Sequence, residues 1–287
     1  MITAVFARIS SASTEMQVRL NKRDLPDCGV HIITALDPSF DSIARKHFQN
    51  ELPETLKPFA VFVQNSGNRM LVAYVLTWKF VKEDGKVTTK SMGYSEPGIL
   101  MGNEIPTGPG FKHTTAIEPQ AVRCFSWDRQ IEPEGKPVRN TPNQPPATPI
   151  DNSSLLRALL ANELSNATDV TVSVDGVVFD DGTFVGSNLV FFQQLQAAVN
   201  AKIDLLHEIV EADEQGKLDQ ALERINSKSQ EPDVTFSSEF SAEEYYRYFR
   251  KLDASEITGL NRAYGREKLV PHLLKSYRRA RPIHRKD

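Results

Sequence analysis

From residue 189 onward the apolar positions keep a helical rhythm. Phe192, Leu195, Val199, Ile203, Leu206 and Val210 recur at steps of three and four. That spacing puts them on one stripe of an amphipathic helix. It predicts a helix over residues 189–214, about 39 Å long at the usual rise, which Gly216 ends. A second helical pattern covers residues 218–225, and Pro232 separates it from the next. Ser241 with Glu244 forms a capping box ahead of Tyr245, Tyr248, Phe249 and Leu252. Residues 256–280 read as helical, with Pro271 kinking one helix or starting another.

Before residue 187 the rhythm is different. Residues 59–63 are a run of strand formers, and Asn65-Ser66-Gly67-Asn68 supplies turn residues. From Met70 to Trp78 the pattern is extended again. Tyr74, Leu76, Trp78 and Phe80 share one parity, while Val72, Val75 and Val81 fill the other parity or its ends. The centre of this strand is therefore expected to be covered on both faces. Glu83-Asp84-Gly85-Lys86 reads as a hairpin turn, with residues 87–92 returning. Residues 111–117 and 121–127 are further strand candidates around Glu118-Pro119-Gln120, and residues 16–20 and 30–34 are weaker ones. Residues 40–48 suggest a short helix. Two Asp-Gly pairs, at 175–176 and 181–182, predict a hairpin of residues 170–174 and 177–179 that joins the earlier strands.

The intervening stretches carry turn and linker chemistry. Residues 93–110 are dense in glycine and proline and read as a long surface loop. Residues 132–149 hold six prolines and almost no apolar side chains, which predicts an extended arm. Asp151 is a candidate N-cap for a helix through Leu155, Leu156, Leu159, Leu160 and Leu164. Together these signals predict an α+β protein. An antiparallel β-sandwich takes residues 1–130 and 168–186, a Pro-rich linker 131–150, a connecting helix 151–166 and a helical region 187–287.

Composition fits a soluble globular chain, with 40% apolar and 25% charged residues in 287. The longest apolar runs, such as residues 71–76, are too short to cross a bilayer. Residues 1–20 show no secretory signal, so a cytoplasmic, non-membrane protein is expected. Net charge is −3, yet residues 261–287 carry nine Lys/Arg against Glu267 and Asp287, which leaves the rest of the chain at −10. A basic end on an acidic body can meet an anionic partner or fold back on the chain.

Candidate chemistry is sparse. His207-Glu208-Ile209-Val210-Glu211 begins like a zinc-protease helix, but glutamate stands where the second histidine belongs. His207 and Glu211 are weak metal candidates, and an exposed acidic helix face is the preferred reading. Asp175, Asp180 and Asp181 suggest calcium ligands, but turn chemistry explains them and no bidentate acid follows. Cys28, Trp78 and Cys124 occur in the order of antibody-type domains, although the intervals of 50 and 46 residues do not match that pattern. With no export signal, the two cysteines read as buried thiols and Trp78 as core. No nucleophile elbow is present, and Gly108-Pro109-Gly110 lacks the lysine of a phosphate loop. The glycosylation sequons at Asn152 and Asn166 carry little weight without an export signal.

Arg278, Arg279, Arg281, Arg285 and Lys286 form the one strong charge cluster and offer a route to nucleic acid. A solvated terminus beside a helix end is the preferred reading.

Three stretches resemble a group of uncharacterised bacterial proteins with an immunoglobulin-like β-sandwich and a helical C-terminal region. They are Leu56-Lys57-Pro58-Phe59-Ala60-Val61-Phe62-Val63-Gln64-Asn65, Val72-Ala73-Tyr74-Val75-Leu76-Thr77-Trp78, and the segment from Val174 to Gly186. The resemblance implies shared architecture, an immunoglobulin-like sandwich followed by helices. It brings no activity, cofactor or catalytic residue. The sequence thus points to a non-enzymatic binding or scaffold protein, with no catalytic or cofactor-binding residue nominated and a protein as the expected partner. Residues 93–110 and the proline arm are its expected binding surfaces. The alternatives are a metal-dependent hydrolase assembled from distant residues and a nucleic-acid-associated protein using the basic end.

Overall fold

The computed structural model describes residues 5–9, 16–47, 60–101, 115–125, 167–235 and 241–286. The expected proline arm, the helix over 151–166, the sequon asparagines Asn152 and Asn166 and residues 102–110 of the expected 93–110 loop lie outside them. The first half of that loop needs correction: residues 93–95 end a strand, Pro97–Leu100 form a short helix, and Leu100 and Met101 are buried rather than on the surface. The chain is α+β. Its strands are β1 (Val5–Ile9), β2 (Met16–Arg23), β3 (Val30–Thr34), β4 (Val61–Asn65), β5 (Leu71–Lys82), β6 (Val87–Ser95), β7 (Val122–Phe125), β8 (Ala167–Phe179), β9 (Thr183–Gly186) and β10 (His284–Arg285). The helices are α1 (Phe40–His47), α2 (Pro97–Leu100), α3 (Leu189–Glu214), α4 (Leu218–Ser229), α5 (Ala242–Tyr264) and α6 (Arg266–Arg279). No helix among the described residues is long and apolar enough to cross a membrane.

One sheet runs β1-β2-β8-β5-β6, with β9 beside β8 and β10 beside β9; a second runs β3-β4-β7. Two compact units share the chain. The first comprises Met1–Asn68, Leu76–Met92 and Ile117–Asp175, the second Arg69–Val75, Gly93–Ala116 and Gly176–Asp287. The division falls inside β5 and β8, and residues 176–186 group with the helices.

In the first unit, β3, β4 and β7 pair antiparallel, with Ile32 opposite Val63 and Phe62 opposite Cys124. Phe40 of α1 sets its ring edge-on to Phe62 at 5.3 Å, a favourable aromatic geometry. The even-parity prediction for β5 holds: Tyr74, Leu76, Trp78 and Phe80 are all buried, and burial is continuous from Leu71 to Trp78. Both faces of the strand are therefore covered. The neighbouring β6 is mostly exposed and polar, as an edge strand needs to be. The hairpin between them turns at Gly85, φ +78°, and is closed by the Lys82 amide on the Lys86 carbonyl at 2.9 Å.

Three strand expectations need correction. The sheet is not wholly antiparallel, because β2 runs parallel to β8, with Leu20 beside Val170, and β9 parallel to β10. The hairpin rule governs strands joined by short turns; β2 and β8 are separated by more than a hundred residues, so a crossover connection is open to them. Nor does the chain turn at Asp175-Gly176. β8 continues unbroken to Phe179, and the turn comes at Asp180–Gly182, where Gly182 has φ +85°. Gly176 is small for a different reason. It stands opposite Gly186 in the β8–β9 pair, and a Cβ there would sit 2.8 Å from Cε2 of Phe184. The Phe184 ring occupies the space a side chain would take. Residues 115–117, read as the end of a strand, carry no more than a bridge at Ile117.

The second unit is built on the predicted helices. Asn188 caps α3, its side chain accepting the Phe191 amide at 2.9 Å, and Gly216, φ +67°, follows the helix end. Leu195, Val199 and Leu206 of the predicted stripe are buried, but Ala198, Ala201, Leu205, Ile209 and Ala212 are buried too. The covered face is thus wider than one stripe, as a helix with several neighbours requires. Ser241 and Glu244 form the expected capping box at α5. The later break falls at Gly265, φ +75°, and Pro271 sits inside α6. A proline one turn into a helix forfeits one backbone bond, whereas a left-handed residue ends the helix outright.

Candidate functional site

Within the second unit, α2, α3, α5 and α6 line a partly open cavity of about 270 Å³. Helical spacing aims the side chains into it. Lys202 lies one turn beyond Ala198 and one turn before Leu206 on α3; Phe249, Asp253, Glu256 and Leu260 follow at steps of four, three and four on α5. α6 contributes His272, Leu273 and Ser276, and Met101 follows α2. The walls are mostly apolar, and the charges converge at one place.

There, Lys202 Nζ meets Asp253 Oδ1 at 3.0 Å and Glu256 Oε2 at 2.5 Å. The Lys202 and Asp253 side chains are 17% and 19% exposed, that of Glu256 58%. Burial pulls the Lys202 ammonium toward neutrality, but the two carboxylates outweigh it and hold its pKa above the usual 10.5. Burial raises Asp253 above the ordinary 3.8, and Glu256 adds to that; the attraction of Lys202 offsets only part of it. Two carboxylates face one ammonium, so the ionised trio has a surplus negative charge. The second oxygens, Asp253 Oδ2 and Glu256 Oε1, make no hydrogen bond within the described residues.

The residues singled out from sequence lie elsewhere. His207 and Glu211 face each other on α3 at 3.6 Å, both about half exposed, with the His207 ring 5.7 Å from that of Tyr277. Among the described residues no group of three or more His, Cys, Asp or Glu is placed to hold a metal ion. Asp181 is engaged in its turn: it accepts Arg69 Nη1 at 2.8 Å and the Thr183 amide at 2.9 Å. Burial pushes its pKa up, but these donors win and hold it below the usual value. Arg69 also lies 3.8 Å over the Phe179 ring. Cys28 and Cys124 are partly exposed residues rather than fully buried ones; Cys28 Sγ donates to the Leu25 carbonyl at 3.2 Å, and burial pushes the Cys124 thiol pKa far up. Trp78 is fully buried.

Arg278, Arg279, Arg281, Arg285 and Lys286 are all exposed, but the segment that carries them is not a loose solvated end. Ile283 is buried, His284–Arg285 pairs with Thr183–Phe184, and the Arg281 amide donates to the Leu100 carbonyl at 2.6 Å. The basic end folds back as a strand.

Sequence reasoning missed Lys202, Asp253 and Glu256. The signal was faint but present: Lys202 is a charge placed inside the apolar face of α3, and Asp253 another on the inward face of α5. Comparison with known proteins finds no matching family model, no matching curated protein and no matching solved structure.

Proposed function

We propose that the chain is a non-enzymatic binding protein: an immunoglobulin-like β-sandwich joined to a helical unit whose cavity takes a small ligand. The sandwich reading is supported by the antiparallel β3-β4-β7 sheet, in which β3 and β4 are mostly buried, and by the doubly covered β5. The parallel β2–β8 pair sets it apart from the antibody pattern. The binding reading rests on one observation, the cavity itself. A concave space with largely apolar walls and a few converging polar groups is the usual form of a small-molecule site. The Lys202 cluster gives such a site orientation, and Phe249 with the leucines gives it contact area.

Saturation-transfer NMR with indole tests this. The wild-type protein should transfer signal to indole. Ala198→Phe, which fills the cavity, and His272→Trp, which narrows its lining, should each lose that transfer while keeping a cooperative melt. Equal transfer in all three proteins, or none in the wild type, would contradict the proposal.

A further inference from the structure

We propose that the ligand of this cavity is an organic ammonium, a primary amine on a one- or two-ring apolar body, held by the free oxygens of Asp253 and Glu256. The inference rests on the binding role proposed above and names the ligand class for that same site.

Three observations converge. The first is charge. Lys202 satisfies one oxygen of each carboxylate and leaves the ionised cluster with a surplus negative charge. A second cation would complete it, whereas an anion would have to displace Asp253 from Lys202. Burial, with a smaller contribution from Glu256, holds the Asp253 pKa up even beside that lysine. The second is hydrogen bonding. Asp253 Oδ2 and Glu256 Oε1 remain acceptors without a partner in the described residues. An ammonium brings three donors, and bonds between an ionised donor and an ionised acceptor are the stronger kind. The third is the wall. Phe249, Leu260 and Leu273 line the same space. An aromatic face attracts cations, and the leucines suit a flat ring. A bare metal ion fits less well, since two carboxylate oxygens supply few of the ligands it needs and, among the described residues, no third His, Cys, Asp or Glu is placed to join them.

Tryptamine and tryptophol share one ring system and differ at the end group, ammonium against hydroxyl. Isothermal titration of the full chain should find tryptamine bound about tenfold or more tighter than tryptophol, as a charge-assisted bond in place of a neutral one implies. Glu256→Gln and Asp253→Asn should each shrink that ratio. The first is the safer variant, because Glu256 is more exposed and its loss leaves Lys202 paired with Asp253. Tryptophol binding as well as tryptamine would overturn the ammonium assignment and leave the binding role standing. A preference that survives both substitutions would also overturn it. If neither compound binds, the binding role falls with it.

Discussion

Asn65 in the first unit and the Lys202 cluster in the second are both polar groups set among apolar side chains, and they are treated in opposite ways. Asn65 is fully buried and spends its amide locally. Its Nδ2 donates to the carbonyls of Ile117 at 3.1 Å and Glu118 at 3.2 Å, and its Oδ1 accepts the Gly67 amide at 3.1 Å. This amide ties the end of β4 to the approach to β7 and keeps little bonding capacity in reserve. The helical cluster keeps two carboxylate oxygens in reserve and opens onto a cavity. A satisfied buried polar group fixes a fold; carboxylate oxygens left open beside a cavity are suited to a ligand.

The contrast is broken most severely at Asn65. Asn65→Ala leaves two carbonyls and one amide short of their partner, and should cost about 2–4 kcal/mol in urea unfolding. A loss below about 0.5 kcal/mol would mean that water replaces the amide, and the structural half of the contrast would fail.

Gly176→Ala comes next, at about 1–3 kcal/mol, because the new methyl meets the Phe184 ring. Adding Phe184→Leu should recover part of that loss. Strict additivity of the two changes would show that the ring is not what excludes the side chain.

The smallest stability effect is expected in the cluster itself. Lys202→Met alone leaves two carboxylates facing each other and should destabilise the protein. Lys202→Met with Asp253→Leu should restore stability to within about 1 kcal/mol of wild type, since a buried ion pair roughly breaks even against apolar side chains. A double variant worse than the single one would assign the cluster to structure rather than to binding.

The pH dependence separates the two members of the pair. Lys202 is raised in the folded state, so its contribution is fully present below its unfolded value near 10.5 and is lost as pH rises through the higher folded value. Alkaline titration should therefore destabilise wild type more than Lys202→Met. Asp253 is raised as well, so the part it contributes is present below about 3.8 and is lost as pH climbs through its folded value. At neutral pH its ionisation is a cost, one that a bound cation would relieve.

Much of the framework could be read from the chain. The 189–214 helix, the capping box at Ser241 and Glu244 and the hairpin at Glu83–Lys86 are all encoded within a few residues, where periodicity and turn chemistry act. The two Asp-Gly pairs mark the limit of that reading. Asp175-Gly176 and Asp181-Gly182 are the same dipeptide, yet only the second turns, because the first lies beneath a phenylalanine eight residues further on. The direction of β2 against β8 was likewise invisible, since it depends on a long connection and not on local pattern. The cluster was missed for the same kind of reason. Lys202 and Asp253 are 51 positions apart, and each alone looks like a charge on an otherwise ordinary helix. The basic end shows the converse. Its charges were plain in sequence, while the strand pairing that anchors them was not.

A crystal structure of the protein with tryptamine tests the assignment of this cavity most directly. The ammonium nitrogen should lie within about 3.2 Å of Asp253 Oδ2 or Glu256 Oε1, with the indole ring against Phe249 and Leu260. Tryptamine bound elsewhere, or seated with its nitrogen turned away from both carboxylates, would contradict the account.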